Sequence, residues 1–144
     1  MAITSAVCNT FKTEALKAVH NFTASSGNTF NLALYTSSAT LNKSTTAYTT
    51  SNEVANGNGY TTKGIALTSV TPVLSTDTAV CDFANVSFTS ASFTANGCLI
   101  FNDTASGDPA VCAIAFGGDK TVTSGTFTIE FPAADASNAI LRIA

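Results

Sequence analysis

Residues 97–116 read GCLIFNDTASGDPAVCAIAF, two apolar runs around a polar turn. Gly97–Asn102 and Ala110–Phe116 are apolar at consecutive positions, so both faces of each run have to be covered, as in the central strands of a layered β fold. Thr104–Pro109 between them gathers Ser, Gly, Asp and Pro, residues that turn a chain sharply, and predicts a hairpin loop.

Outward from this centre, period two dominates. Phe30, Leu32 and Leu34 share one face of Thr29–Tyr35, a strand. Lys63–Val70 alternates Ile65 and Leu67 with small polar residues. Thr78–Phe83 sets Ala79, Cys81 and Phe83 together, and Val86–Phe93 sets Val86 with Phe88, followed by an Asn96–Gly97 pair that predicts a tight turn. Beyond the centre, Gly117–Gly118–Asp119 and Ser124–Gly125 punctuate the chain before a strand at Thr126–Phe131. Pro132 stops that strand, and Ala139–Ile143 offers a last one. Helical spacing is confined to the start, where Cys8, Phe11, Ala15, Val19 and Phe22 recur at steps of three or four. Thr4 or Ser5 would cap this amphipathic helix, predicted over 4–22, and Ser25–Asn28 would end it. The class expected is mainly β: one domain spanning 1–144, an antiparallel sandwich or jelly roll over about 29–144 with one N-terminal helix.

Composition narrows the function. Six basic and nine acidic residues stand among 144, while Thr, Ser and Asn number 24, 15 and 12. An ordinary soluble domain is about a quarter charged. A surface of short uncharged polar groups suits docking, because such side chains lose little rotamer entropy on contact. The net charge of −3 and the scattered cations (Lys12, Lys17, Lys43, Lys63, Lys120, Arg142) argue against nucleic acid. No apolar run approaches the roughly 20 residues of a membrane helix. Asn9, Thr10, Lys12 and Glu14 interrupt any signal-peptide core, so the chain is expected in a cytoplasm until released.

Chemistry is sparse. Cys8, Cys81, Cys98 and Cys112 lack the spacing of a zinc site and read as small buried hydrophobes, with a disulfide formed after release as the alternative. His20 is the only histidine, with Glu14 its one nearby acid, and reads as a surface or cap residue. Asp103 and Asp108 flank the hairpin loop, where a turn role outweighs a calcium site; Asp77 and Asp82 flank a strand. Neither Gly57–Gly59 nor Gly117–Gly118 has the Lys and helix start of a phosphate loop. The residues point to no enzyme, no cofactor and no metal.

One segment stands apart. Residues 36–62 form a 27-residue stretch whose large apolar anchors are Leu41, Tyr48, Val54 and Tyr60. A loop of this length is usually functional or disordered, and a neighbouring subunit is the simplest holder for it. The expected interface residues are therefore Leu41, Tyr48 and Tyr60, joined by Phe11, Val19 and Phe22 of the helix stripe.

The stretches FNLALYTSSATL at 30–41, YTTSNEV at 48–54 running into GNGY at 57–60, and KTVTSGTFTIEFP at 120–132 resemble the small virion structural proteins of tailed bacteriophages. The resemblance implies a cofactor-free virion subunit present in many copies, made in the host bacterium. Its first expected place is a capsid cement or decoration protein, often trimeric, touching the major capsid protein and copies of itself. A tail or fibre subunit is the second expectation, and a carbohydrate-binding or host-recognition module a third.

Overall fold

Residues 97–102 and 110–115 lie at the centre of the fold, as their two-sided apolarity requires. In the computed structural model, which describes residues 2–144, they belong to two long strands that pair antiparallel as a hairpin around 103–109. These are β6 (Val86–Asn102) and β7 (Ala110–Ile129). β1 (Ala6–Val7), β2 (Phe30–Tyr35) and β3 (Ile65–Ala66) complete a five-stranded sheet in the order β1-β7-β6-β2-β3. A second sheet of three strands, β4 (Ser69–Ser75), β5 (Thr78–Phe83) and β8 (Leu141–Ile143), runs in the order β4-β5-β8. Every named pairing is antiparallel and neither sheet closes into a barrel, the mainly β, sandwich-like class that the period-two pattern predicts.

The central sheet is covered on both faces. Phe30, Leu32, Leu34, Cys98, Ile100 and Cys112 enter one buried cluster with Cys81, Phe83 and Leu141 of the small sheet. The alternate residues Ala33, Tyr35, Leu99, Phe101 and Ala113 enter a second cluster on the opposite face. There the cover is not a sheet. Ala39, Leu41 and Tyr48 from the long loop supply it, with Ile3 and Cys8.

The helix is shorter than its stripe predicts. α1 runs from Asn9 to Leu16, eight residues, rather than over 4–22. Two constraints trim it. At its start, Ala6–Val7 is claimed by the edge of β7, and the Cys8 N–H is donated to the Val111 carbonyl. Thr4 and Ser5 therefore cap nothing: Ser5 Oγ accepts the Ala115 N–H instead, and Cys8 at the N-cap makes no side-chain cap bond. At its end, Ala18 takes φ +58° and breaks the helical path, leaving Val19 and Phe22 outside it.

Two expected turns are also absent as turns. β6 passes straight through Asn96–Gly97, because Gly97 is a packing glycine: a Cβ there would lie 2.6 Å from the Ile114 carbonyl and 2.8 Å from the Ile3 side chain. β7 likewise continues past Gly117 and Gly118, which take φ +77° and +143° inside an irregularity where Phe116–Asp119 face Asn96 alone. Such bulges bend a strand without ending it. Lys63–Val70, read as one strand, instead splits between β3 in one sheet and β4 in the other. The hairpin loop before Pro109 and the strand at Thr78–Phe83 stand where the sequence puts them.

Candidate functional site

The long loop is held by its own chain. Thr36–Thr62 contains one acidic residue, Glu53, and its carboxylate gathers the loop. Oε2 accepts the Tyr48 hydroxyl at 2.6 Å; Oε1 accepts the Tyr60 hydroxyl at 2.6 Å and the Lys63 N–H at 2.8 Å. Tyr60 also accepts the Leu34 N–H from β2, and Tyr35 donates its hydroxyl to Thr49 O at 2.6 Å. Burial first, and the neighbouring Glu53 charge after it, push the Tyr48 and Tyr60 hydroxyls well above their ordinary range. At the other end, Gly59 lies so close to β6 that a Cβ would sit 2.7 Å from Ala91, and Ser92 N–H reaches Asn58 O.

Of the six expected interface residues, Leu41 and Tyr60 are 1% and 2% exposed, so their side chains are spent inside the chain. Tyr48 is half-buried, its ring stacked 4.7 Å from that of Phe101. Phe22 stacks on Phe30 at 4.2 Å and Phe11 meets Phe22 at 6.0 Å, both packed against the core. Val19 is half-buried and lends its carbonyl to Asn102 at 3.5 Å. The structure thus brings Phe11 and Phe22 together on one side and Tyr48 and Tyr60 around Glu53 on another.

The polar groups with chemical potential are engaged. Lys63 Nζ sits between Asp103 Oδ1 and Asp108 Oδ2, 2.8 Å from each, and its hydrogen bonds to them raise its affinity for the proton. The two loop carboxylates do converge, but on this ammonium. His20 is not a surface residue. Its side chain is fully buried, with Nε2 2.8 Å from Glu14 Oε2 and Nδ1 3.1 Å from Asn102 Nδ2. Asn102 Oδ1 accepts the Thr104 and Ala105 N–H groups, which fixes its amide nitrogen toward the ring. His20 Nδ1 must then accept and Nε2–H must donate, so neither nitrogen is left to take a proton from a nucleophile.

All four cysteines are free, buried thiols. Desolvation pushes Cys8 up to about 11 and Cys81 and Cys112 to about 12, with Cys98 well above its ordinary value. Thiols so raised are poor nucleophiles. Among the described residues no three His, Cys, Asp or Glu side chains converge as a metal site requires, and no helix is long and apolar enough to cross a membrane.

What remains open is apolar. Among the described residues, Leu16, Val70, Val73, Leu74 and Ile143 are the exposed large hydrophobics, and four of the five belong to the small sheet. A groove of about 740 Å³ runs between α1 and that sheet, lined by Phe11, Leu16, Pro72, Ala79, Leu141 and Ile143 among others. Val73 and Leu74 fall between the strands read over Lys63–Val70 and Thr78–Phe83, so the pattern assigns them no face. The signal that could have exposed them is the adjacent Val73–Leu74 pair, which cannot both point inward on one strand. Glu53 was passed over as well, although it is the sole acid between residues 36 and 62. Comparisons of the chain with protein-family models, with curated proteins and with solved structures find no match.

Proposed function

We propose that this chain is a non-enzymatic structural subunit of a tailed-phage particle, and within it a capsid cement protein that works by burying area between major capsid subunits. The observation that carries a docking role is the contrast in what the fold consumes. His20 is closed on Glu14, and Asp103 and Asp108 on Lys63, while large apolar side chains on α1, β4 and β8 face outward. Monomers rarely leave such patches exposed without a partner. The particle itself comes from the sequence resemblance. Low charge supports the same reading, since contacts made without ion pairs keep their strength when salt changes outside a host. A cement subunit needs only a few kcal/mol per copy, because a standard interface of about 1,600 Å² repeats over a shell.

The carbohydrate-module alternative loses its anchors. Tyr35, Tyr48 and Tyr60, the only residues of their type in a chain without Trp, each spend the hydroxyl inside the fold; Tyr35 and Tyr60 are buried, and Tyr48 has Phe101 against one face.

The test is to delete or strip the protein from particles, heat them and follow DNA release. Cement function predicts release at lower temperature with host adsorption unchanged. Unchanged release with lost adsorption would move the subunit to the tail or fibre, and purified particles lacking the chain altogether would end the virion reading.

A further inference from the structure

Two of the four exposed apolar side chains of the small sheet, Leu74 and Ile143, lie in one row, while Val70 and Val73 pair with Asp82 and Val80 on the opposite face. Leu74 pairs with Ala79 and Ala79 with Ile143, and residues directly opposite on neighbouring strands share a face. Leu74 and Ile143, 74% and 73% exposed, therefore flank Ala79 on the face whose next positions, Cys81 and Leu141, are buried. The inner face of the sheet thus projects beyond what covers it. Leu16 of α1, 91% exposed, lines the groove that borders the same row.

Opposite charges adjoin different residues of this strip: Lys12 and Lys17 are exposed on and just after α1, Lys17 next to Leu16 in the chain, and Asp77 is exposed in the turn between β4 and β5, three residues after Leu74. Among the described residues none of these three is in an ion pair. The other charges nearby are already engaged: Glu14 with His20, and Arg142, from the row on the opposite face, with the carbonyls of Ala136 and Ser137.

We propose that a second copy of this chain covers the strip about a two-fold axis. That symmetry sets Leu16 of each copy against Leu74 of the other and Lys17 against Asp77, twice. An acidic partner would oppose Asp77 and a basic one would oppose the lysines, whereas a second copy brings the complement of both charges. The contact is proposed through side chains: on β4, one of the two edge strands of the small sheet, Pro72 removes a backbone donor that strand addition would need. The dimer would cover Leu16, Leu74 and Ile143 and leave Val70 and Val73, on the other face of β4, open for a shell, so either reading can fail while the other stands.

Sedimentation equilibrium of the full chain at rising concentration tests it, with a monomer–dimer equilibrium expected. Leu74→Asp should raise the dissociation constant about thirtyfold or more, as loss of a central apolar anchor does. The position is exposed, so an unchanged circular dichroism spectrum checks that folding survives. Lys17→Asp or Asp77→Lys alone should weaken the dimer about two- to fivefold, and the two together should restore it. A monomer at every concentration, a dimer indifferent to Leu74→Asp, or a trimer, which no two-fold contact builds, would each overturn the proposal.

Discussion

The loop at 36–62 and the small sheet β4-β5-β8 invert the usual relation between regular structure and burial. The loop has no strand longer than an isolated bridge, yet Leu41, Val54 and Tyr60 are at most 5% exposed. The sheet is regular, yet Val70, Val73 and Leu74 on β4 are between 42% and 74% exposed. Each region also buries a carboxylate differently. Glu53 in the loop collects three donors, while Asp82 on β5 accepts only the N–H of Phe83, its own neighbour. Backbone order and side-chain burial are thus set separately here. Hydrogen-bonded strands satisfy their backbone whether or not anything covers them, while an irregular segment stays ordered only where its side chains close a network.

The comparison breaks first at Leu41. It fills the second core cluster with Ile3, Tyr35 and Phe101. Leu41→Ala should cost about 3 kcal/mol, the range for a buried leucine whose site cannot collapse. Urea denaturation of the isolated chain measures it. A cost below about 1 kcal/mol would mean that the loop does not act as a core layer.

Glu53→Gln comes next, at about 2 kcal/mol by the same assay. The carboxylate offers two acceptor oxygens to three donors, and the amide replaces one oxygen with a donor that opposes them. Tyr60 would lose most, since its hydroxyl lies in the buried cluster against β2.

How much of this was legible in the sequence follows from the kind of interaction involved. Strands β2 and β5 and the hairpin before Pro109 declare themselves because alternation and turn chemistry are local. The extent of α1 does not: the stripe from Cys8 places a cap at Thr4 or Ser5, but the edge of β7 and the Leu41 carbonyl claim the backbone of this segment across the fold. Gly97 is ambiguous for a similar reason, since Asn-Gly reads as a turn until Ile114 and Ile3 are known to press on it. Tyr48 and Tyr60 were visible as loop anchors. Their shared partner was not, because a neighbour had been assumed to hold a loop that Glu53 holds from within.

Asp82 sharpens the comparison with a smaller effect of opposite sign. Burial raises its carboxyl above the usual Asp range, against the lowering influence of the Phe83 N–H. The folded state then binds its proton more tightly than the unfolded chain. Stability contributed by this group is greatest below the ordinary Asp value, declines as pH rises through the raised folded value, and stays lost at neutral pH. Asp82→Asn keeps an oxygen for Phe83 and removes the charge, so it should stabilise the chain at pH 7 and flatten the pH dependence just above the ordinary Asp range. Urea melts across pH check both, and a destabilised Asn variant would show that the carboxylate has a partner beyond Phe83.

The smallest effect is expected at Val73. Its register partner is Val80, which in turn pairs with Arg142, and this places it on the face of the sheet opposite Leu74 and Ile143. At 55% exposed, it has little contact to lose. Val73→Thr keeps the β-branched shape that suits a strand and exchanges a methyl for a hydroxyl already facing water. Stability should change by no more than about 0.5 kcal/mol, and a dimer formed through the other face should be unaffected. The pair Leu41→Ala and Val73→Thr therefore measures the inversion directly, a large cost in the irregular segment and almost none in the regular one. A cost at Val73 comparable to that at Leu41 would mean that this face of β4 is covered in solution, and sedimentation of the variant would then report whether the cover is a second copy.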